Sequence, residues 1–324
     1  MKNIFNNYMH DIIIIGSGPA GMTAGIYAAR RGMKALIIGK ELGGQIIWAS
    51  EIENYPGFNL ISNFDLINKM QEQVQSLGVD IKTNEVKKIK PSYAKAAEGK
   101  VDKFILWTDK DKFEAKTIIL AIGLLPRRLN IPGERKFIGK GVSYCANCDG
   151  PFYKDKIVAV AGGGNSALDA AEVLSKIAKK VYLIHRRKEF RAFKVLINKV
   201  KVRNNIEFVL DSEIKEIIGD SMSAQGKLKK IKVFNNKTNK KSELAVDGLF
   251  IEIGRIANTD LAADLAERDK YGQIIVNEKC QTSLPGMFAA GDATQVPFKQ
   301  ITIACGQAAI AALAAYQYIQ LKQV

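Results

Sequence analysis

Two periodicities of apolar residues follow each other at the start of this chain. Residues 11–15 read as a short strand in which Asp11 precedes four isoleucines, a glycine-rich turn follows, and an alanine-rich stretch with helical periodicity continues to Arg30. Residues 34–38 again have the pattern of a buried strand. A strand, a tight turn, a helix and a strand in this order predict a βαβ unit with parallel strands.

The same order of elements returns in the middle of the chain. Residues 156–161 predict a strand, 168–177 a helix and 181–184 the next strand, with glycines before the helix. Two such units indicate either two nucleotide sites or two halves of one sheet. We therefore predict an α/β protein with two Rossmann-like dinucleotide-binding domains.

Two domain boundaries are predicted from changes in the pattern. A buried strand over 117–122 stops at Gly123, and prolines follow within the next ten residues, which favours a linker. Further on, a lysine-rich segment of alternating residues gives way to an apolar strand over 246–251. We place one boundary on each side of the middle segment, 125–246.

The charge of the chain is concentrated in this middle segment. The net charge is +15, and residues 125–246 contain 26 Lys and Arg against 12 Asp and Glu. Such a field can steer acidic partners. A solvated lysine-rich surface is the alternative, and it is favoured over nucleic-acid binding because no nucleic-acid-binding motif accompanies the charge.

Cellular location is predicted from what the sequence lacks. No apolar run approaches the roughly 18–20 residues that span a membrane, and residues 1–10 have no signal-peptide core. The four cysteines include one close pair, which is not the framework of a secreted protein. We expect a cytoplasmic protein that binds neither a membrane nor nucleic acid.

The two glycine turns have the residue types of dinucleotide-binding loops. In such a loop the first glycine permits a tight turn, the second lets the backbone approach a pyrophosphate, and the third small residue allows close packing of helix on strand. The helix N-terminus then faces the phosphates. An ordinary βαβ turn is the alternative. The first loop comprises Gly16, Ser17, Gly18, Pro19, Ala20 and Gly21, and the second comprises Gly162, Gly163, Gly164, Asn165, Ser166 and Ala167.

The strand that follows the second loop ends in a basic cluster of His185, Arg186, Arg187 and Arg191. An acidic residue at this place would bind a ribose diol, whereas arginines accept a 2′-phosphate through planar two-point contacts. The cluster therefore favours NADPH over NADH. An exposed basic helix start is the alternative explanation, and nothing around His185 resembles the partners of a catalytic base.

Cys145 and Cys148 are spaced as a Cys-x-x-Cys pair, with Asp149 directly after the second thiol. This spacing often lowers a thiol pKa from about 8.5 towards roughly 3.5–7.5, and a pair can cycle between dithiol and disulfide. A local structural disulfide would add only about 2 kcal/mol for so small a loop. A zinc site would need two further ligands, and the other cysteines and histidines are not paired at ligand spacing, so we predict no metal.

Several motifs in one order resemble the low-molecular-weight thioredoxin reductases, over essentially the whole chain. Besides the two loops and the redox pair, they include Gly43-Gly44-Gln45, the segment Glu53 to Gly57, and Ala290-Gly291-Asp292. The resemblance implies an FAD domain made of 1–124 and 247–324, with an NADPH domain, 125–246, inserted into it. It also implies a homodimer and a rotation of the inserted domain.

The resemblance assigns roles to the redox residues. It implies that NADPH reduces FAD, and that FAD reduces the Cys145–Cys148 disulfide, with Cys148 nearest the flavin. Cys145 would attack the thioredoxin disulfide, and Asp149 would be the acid–base group. Beyond the first loop, the candidate FAD contacts are Glu41, Gly43, Gly44, Gln45, Asn54, Val86, Gly123, Gly291, Asp292, Lys299, Gln300 and Ile301.

A few residues depart from the family pattern, and other functions remain open. Asn147 stands where Thr is common, Ile122 replaces a usual Thr, and Lys299 replaces a frequent Arg. One alternative keeps the chemistry but changes the acceptor to a glutaredoxin-like or peroxiredoxin-type protein. Another is a flavin-bound redox sensor without turnover.

Overall fold

The structure is a computed structural model that describes residues 9–48, 51–93, 101–220, 226–257 and 259–322. Within these ranges the side chains of Trp48, Glu51 and Cys148 are not described. The chain divides into two compact units. We call Met1–Leu125 with Ile256–Val324 the outer unit, and Pro126–Arg255 the inserted unit.

The strands and helices are numbered in chain order. The strands are β1 (His10–Ile15), β2 (Ala35–Gly39), β3 (Glu51–Ile52), β4 (Ile61–Ser62), β5 (Asp80–Thr83), β6 (Val86–Tyr93), β7 (Val101–Thr108), β8 (Lys112–Leu120), β9 (Leu124–Pro126), β10 (Val142–Ser143), β11 (Ile157–Ala161), β12 (Lys180–Ile184), β13 (Ile206–Val209), β14 (Ser212–Gly219), β15 (Leu228–Asn235), β16 (Lys241–Ala245), β17 (Gly248–Ile251), β18 (Arg255–Ala257) and β19 (Met287–Ala289). The helices are α1 (Pro19–Arg30), α2 (Asn63–Ser76), α3 (Glu134–Phe137), α4 (Ala146–Asp149), α5 (Asn165–Ser175), α6 (Lys194–Lys201) and α7 (Ile301–Lys322).

The outer unit is built on a seven-stranded sheet of order β5-β2-β1-β8-β7-β6, in which β19 also pairs with β8. The strands β5, β2, β1, β8 and β19 run parallel, whereas β6 and β7 are antiparallel neighbours. Ile12 and Ile14 face one core and Ile13 and Ile15 the other. Both faces are covered, which explains the uninterrupted apolar run.

The inserted unit repeats this plan with a five-stranded parallel sheet of order β10-β17-β11-β12-β13. A separate antiparallel sheet, β14-β15-β16, accounts for the lysine-rich alternating segment. Both units therefore have the parallel sheet of a Rossmann-like domain, so the predicted fold class is confirmed.

The second boundary lies further along the chain than predicted. Strand β17 pairs in parallel with β11 and β10, so the inserted unit continues to Arg255 instead of ending at residue 246. An apolar strand pattern indicates a buried strand but does not specify the sheet that it joins. The first boundary, after Leu125, lies one residue from the predicted position.

The expectation that no segment is long and apolar enough to span a membrane is wrong for helix α7. Its 22 residues pass that test by length and composition. This is weak evidence, because the core helix of a soluble protein passes the same test. Six alanines of α7 are buried in the core that also contains residues of α1, namely Ala304, Ala308, Ala311, Ala312, Ala314 and Ala315.

Candidate active site

The first glycine loop connects β1 to α1. The N–H of Gly16 donates to the carbonyl of Ile38 at 2.7 Å, and Gly16 has a φ of +114°. A Cβ on Gly16 would collide with the carbonyl of Ala121, and a Cβ on Gly21 would collide with the carbonyl of Gly16. Both positions require glycine because backbone atoms approach them from the sheet and from the loop.

The N-terminus of α1 is left open by this loop. Gly18 is the N-cap residue, with an extended backbone and no side-chain cap. The Ser17 side chain points elsewhere and donates to the carbonyl of Glu41 at 2.8 Å. The N–H of Gly43 donates to the carbonyl of Ser17 at 2.9 Å, and a Cβ on Gly18 would touch Gly44. The predicted segments thus meet at a helix N-terminus, which is suited to a phosphate.

Three predicted residues from distant parts of the chain converge beside this loop. The Nε2 of Gln45 donates to Oδ2 of Asp292 at 3.0 Å, and a Cβ on Gly123 would lie 3.1 Å from the same Nε2. Asp292 lies in the short 3₁₀ helix Gly291–Ala293 after β19. Burial raises the pKa of Asp292, and the Gln45 hydrogen bond opposes this shift.

The segment before α7 adds a second group of predicted residues. The Nδ2 of Asn54 donates to Oε1 of Gln300 at 3.0 Å. The Nζ of Lys299 donates to Oε1 of Gln273 at 2.7 Å and to the carbonyl of Thr294 at 2.6 Å. Burial lowers the pKa of Lys299. The lysine that replaces the usual arginine is therefore held in place by two acceptors.

The other predicted flavin contacts lie at the margin of this group. Glu41 is exposed, Val86 begins β6 and packs against one core of the outer unit, and Ile301 packs against the other core. Pro19 is at the N-terminus of α1, and Ala20 is buried behind it. Contact of these residues with a cofactor stays a prediction.

The second glycine loop connects β11 to α5 in the inserted unit. The N–H of Gly162 donates to the carbonyl of Ile184 at 3.0 Å. A Cβ on Gly162 would collide with the carbonyl of Glu252, and one on Gly163 with the ring of His185. A Cβ on Gly164 would meet no atom of the described residues within 4 Å, so among them this position faces open space at the N-terminus of α5.

The start of α5 resembles that of α1. Within the described part of the chain no side chain caps the helix at Gly164. Asn165 and Ser166 are exposed, and Ala167 is fully buried against the core. Because the first N–H groups of a helix have no partner within it, this end can bind an anion.

The basic cluster returns to this loop after β12. The N–H of Arg191 donates to the carbonyl of Gly163 at 2.8 Å. Arg186, Arg187 and Arg191 are exposed, and none of them makes an ion pair within 4.0 Å to another described residue. Uncommitted arginines beside an open helix N-terminus suit a ligand with an additional phosphate.

His185 has a structural position under the loop. It is 8% exposed, and its ring stacks on Phe190 at a centroid distance of 5.5 Å. Its Nε2 lies 3.2 Å from the carbonyl of Glu189. Burial lowers the pKa of His185, and the nearby arginines add to the shift. A neutral imidazole that supports Gly163 explains the residue without a catalytic role.

The redox motif lies on the inserted unit, between β10 and β11. Cys145 is 6% exposed and disulfide-bonded, whereas Cys280 and Cys305 are free. Cys148 and Asp149 are in the four-residue helix α4, and the N–H of Asp149 donates to the carbonyl of Cys145 at 3.2 Å. Among the described residues no group of three or more His, Cys, Asp and Glu forms a metal site.

Phe152 is a feature that sequence reasoning missed. It follows the redox motif in the 3₁₀ helix Gly150–Tyr153, and 72% of it is exposed. Phe152 thus presents an accessible aromatic ring close in sequence to the Cys145 disulfide. Its sequence signal was its position, three residues beyond Asp149, but its exposure is known only from the structure.

Glu252 is a second residue that the sequence analysis did not select. It follows β17, its N–H donates to the carbonyl of Ala161 at 2.8 Å, and its side chain is 7% exposed. The Nη2 of Arg255 lies 3.6 Å from Oε2 of Glu252. Burial raises the pKa of Glu252 to about 7. The positive charge of Arg255 opposes this shift, and the negative charge of Asp169 adds to it. The carboxyl ends of β11 and β17 meet here, where open α/β sheets bind ligands.

We expect Glu252→Gln to remove a pH dependence of stability. Because the pKa of Glu252 is raised in the folded state, the protonated carboxyl group contributes to the stability of the folded protein. This contribution is fully present below about pH 4.5 and is lost as the pH rises through about 7. The full effect is on the order of 3 kcal/mol. Urea unfolding of both proteins at pH 5 and pH 8 measures it, and a constant difference between them would contradict the assignment.

These observations fit two bound dinucleotides in separate units. Each unit has a helix N-terminus without a side-chain cap, and a glycine loop precedes it. Because the loop glycines have no side chains, a pyrophosphate can approach the backbone there. The outer unit adds the half-buried carboxyl group of Asp292, and the inserted unit adds arginines that make no ion pair to another described residue. Together with the Cys145 disulfide, they define a class of two-cofactor disulfide oxidoreductases.

Comparison with known proteins agrees with this class. The family model described as pyridine nucleotide-disulphide oxidoreductase matches residues 10–308, and the chain belongs to that family. A thioredoxin reductase of Helicobacter pylori is 40% identical over 321 residues, which cover 96% of this chain and 99% of the relative. The predicted resemblance is therefore confirmed, and the family implies a flavin and a pyridine nucleotide.

Two further similar proteins are a solved structure and a longer relative. The crystal structure of Lactococcus lactis thioredoxin reductase superposes with a TM-score of 0.86 at 38% identity, covering 96% of this chain and 99% of that one. A component of the Escherichia coli alkyl hydroperoxide reductase is also 38% identical, over 96% of this chain, but the match covers 58% of that relative.

Proposed function

We propose that this protein is a thioredoxin-disulfide reductase that uses NADPH, FAD and the Cys145–Cys148 pair. The observation that carries the proposal is the position of the Cys145 disulfide, on the same unit as the second dinucleotide loop and its free arginines. The family membership and the Helicobacter pylori relative support it. In this proposal FAD binds the outer unit and NADPH the inserted unit.

The residues of each site fit these cofactors. The first loop would hold the FAD pyrophosphate, with Asp292 placed to accept hydrogen bonds from hydroxyl groups. The second loop would hold the NADPH pyrophosphate, and Arg186, Arg187 and Arg191 its 2′-phosphate. When bound, the two cofactors supply the electron pair that converts the disulfide into a dithiol.

The remaining chemistry belongs to the cysteines. The Cys145 thiolate attacks one sulfur of the thioredoxin disulfide, which forms a mixed disulfide and releases a thioredoxin thiolate. The Cys148 thiolate then attacks Cys145, restores the internal disulfide and releases the second thioredoxin thiolate. Because both cysteines react as thiolates, the two protons of the dithiol pass to the two thioredoxin thiolates, and Asp149, which follows Cys148 in sequence, is placed to carry them. Exposed Phe152 would contact the partner.

The decisive experiment is an NADPH oxidation assay with oxidised thioredoxin as the acceptor. We expect turnover and a yellow protein whose flavin absorbance bleaches with NADPH alone. If the flavin-loaded protein consumed no NADPH with thioredoxin or any other protein disulfide, the redox-sensor alternative would replace the proposal.

A second acceptor has specific support. The similarity to the alkyl hydroperoxide reductase component favours a peroxide-reducing protein as a candidate. Comparing kcat/KM for thioredoxin, glutaredoxin and peroxiredoxin under identical conditions distinguishes the acceptors. The proposal further includes a cytoplasmic homodimer without membrane or nucleic-acid partners, and light scattering measures the oligomeric state.

We expect the double variant Arg186→Ala with Arg187→Ala to lose its preference for NADPH. A hydrogen bond to a charged group contributes about 1.5–3 kcal/mol, so losing two should raise KM for NADPH roughly 100-fold while KM for NADH changes less than about three-fold. Steady-state kinetics with both cofactors measures this. Lys188→Ala, an exposed neighbouring cation, is the matched control. Equal weakening of both cofactors would refute the 2′-phosphate assignment.

A further inference from the structure

The carboxylate of Glu134 is buried and fully engaged next to the redox motif. Glu134 is 1% exposed. Its Oε1 accepts from the N–H of Leu129 at 3.1 Å and from the hydroxyl of Tyr144 at 2.6 Å, and its Oε2 accepts from the N–H of Asn130 at 2.6 Å. Asn130 has a φ of +57°. Successive N–H groups in this conformation form an anion-binding nest.

A buried carboxylate is costly unless its acceptors are satisfied, so its three donors matter. Two of them belong to the segment by which the chain enters the inserted unit, shortly after β9. The third belongs to Tyr144, the residue before Cys145. Glu134 therefore ties this entry segment to the redox motif. Leu129 and Tyr144 also pack against the same core.

The redox segment depends on such anchors because its own elements are short. Strand β10 has two residues and helix α4 has four. The Oγ of Ser143 accepts from the N–H of Cys145 at 3.0 Å and donates to its carbonyl at 3.2 Å, which fixes the backbone. Tyr144 stands between these two residues. Burial and the Glu134 hydrogen bond raise the pKa of Tyr144, so the phenol remains a donor.

We propose that Tyr144 and Glu134 are a positioning pair for Cys145. The hydrogen bond from the phenol to the carboxylate restricts the segment, so the Cys145 sulfur stays at the position from which it forms and breaks its disulfide. This inference rests on the proposed function, because the reductase role of Cys145 is taken from it. The pair does not take part in electron or proton transfer.

The test is the equilibrium between the redox-active disulfide and glutathione, measured on the complete flavin-loaded protein. This equilibrium reports how often the two thiols are positioned to react, and it needs neither NADPH nor thioredoxin. We expect Tyr144→Phe and Glu134→Gln each to lower the disulfide equilibrium constant about 10-fold. We expect the double variant to lose clearly less than 100-fold, because Tyr144→Phe removes the donor of the same hydrogen bond whose acceptor Glu134→Gln alters.

Tyr182→Phe is the matched control, since Tyr182 is half-buried and packs against the same core. It should stay within two-fold of the wild type. A disulfide equilibrium constant of Tyr144→Phe within two-fold of the wild type would overturn the proposal. A loss near 100-fold in the double variant would do the same. A lower thermal midpoint with an unchanged glutathione equilibrium would also overturn it, as the role would then be structural. If Glu134→Gln does not fold, Tyr144→Phe alone decides. Absence of thioredoxin turnover in the wild type would reject the proposed function and leave this test intact.

Discussion

Cys145→Ser is expected to reduce NADPH-dependent thioredoxin reduction at least about 1,000-fold while bleaching of the flavin by NADPH persists. A serine hydroxyl is neither ionised near neutral pH nor able to form the mixed disulfide, so the only covalent route to the partner is lost. Stopped-flow absorbance measures the bleaching, and a coupled NADPH assay measures turnover. The two readouts separate cofactor binding from disulfide exchange.

The two cysteines should fail in different ways. Cys148→Ser leaves the attacking thiol and removes the resolving one, so it should accumulate a covalent complex with thioredoxin, which non-reducing electrophoresis detects. Cys280→Ala is the control, because Cys280 is buried and burial raises its pKa to about 11. Turnover by Cys145→Ser within ten-fold of the wild type would exclude the proposed nucleophile.

Gly21→Ala is expected to produce a protein without flavin. The added Cβ would collide with the carbonyl of Gly16, which is backbone and cannot move aside without displacing α1 from β1. Overpacking of this kind costs up to about 3 kcal/mol. We expect a colourless purified protein with a lowered thermal midpoint. The ratio of flavin absorbance to protein absorbance, together with a melting curve, measures both effects.

Gly306→Ala is the matched control for this prediction. Gly306 is an exposed position within α7, and a Cβ there would meet no atom of the residues that the structure describes within 4 Å. Alanine in a helix interior is favoured over glycine by about 0.5–1 kcal/mol, so this variant should keep its flavin and gain slightly in stability. A yellow Gly21→Ala protein with the thermal midpoint of the wild type would show that the loop tolerates a side chain.

The βαβ units were accessible to sequence reasoning because their signals are local. The apolar run of β1, the glycines at 16, 18 and 21, and the helical pattern after them occupy about twenty consecutive residues. The Cys-x-x-Cys pair and the arginine cluster are equally local. Chemistry carried by neighbouring residues could therefore be predicted, and motif order led to the family.

What depends on pairing between distant segments was not accessible. The apolar pattern of β17 was assigned to the wrong unit, because nothing in it specifies parallel pairing with β11 and β10. The hydrogen bond from Gln45 to Asp292 joins residues at opposite ends of the chain. No periodicity or spacing could have predicted that contact.

The class of fold, the two glycine loops and the redox pair could all be predicted from the amino-acid sequence, since each follows from residue types at short spacing. Which strands share a sheet and which polar groups are buried is known only from the folded chain. Folding brings Glu252 to the end of β11 and the Glu134 carboxylate to the hydroxyl of Tyr144. The reason is physical: burial, and the pKa and hydrogen-bond partners that follow from it, are set by segments far away in the chain.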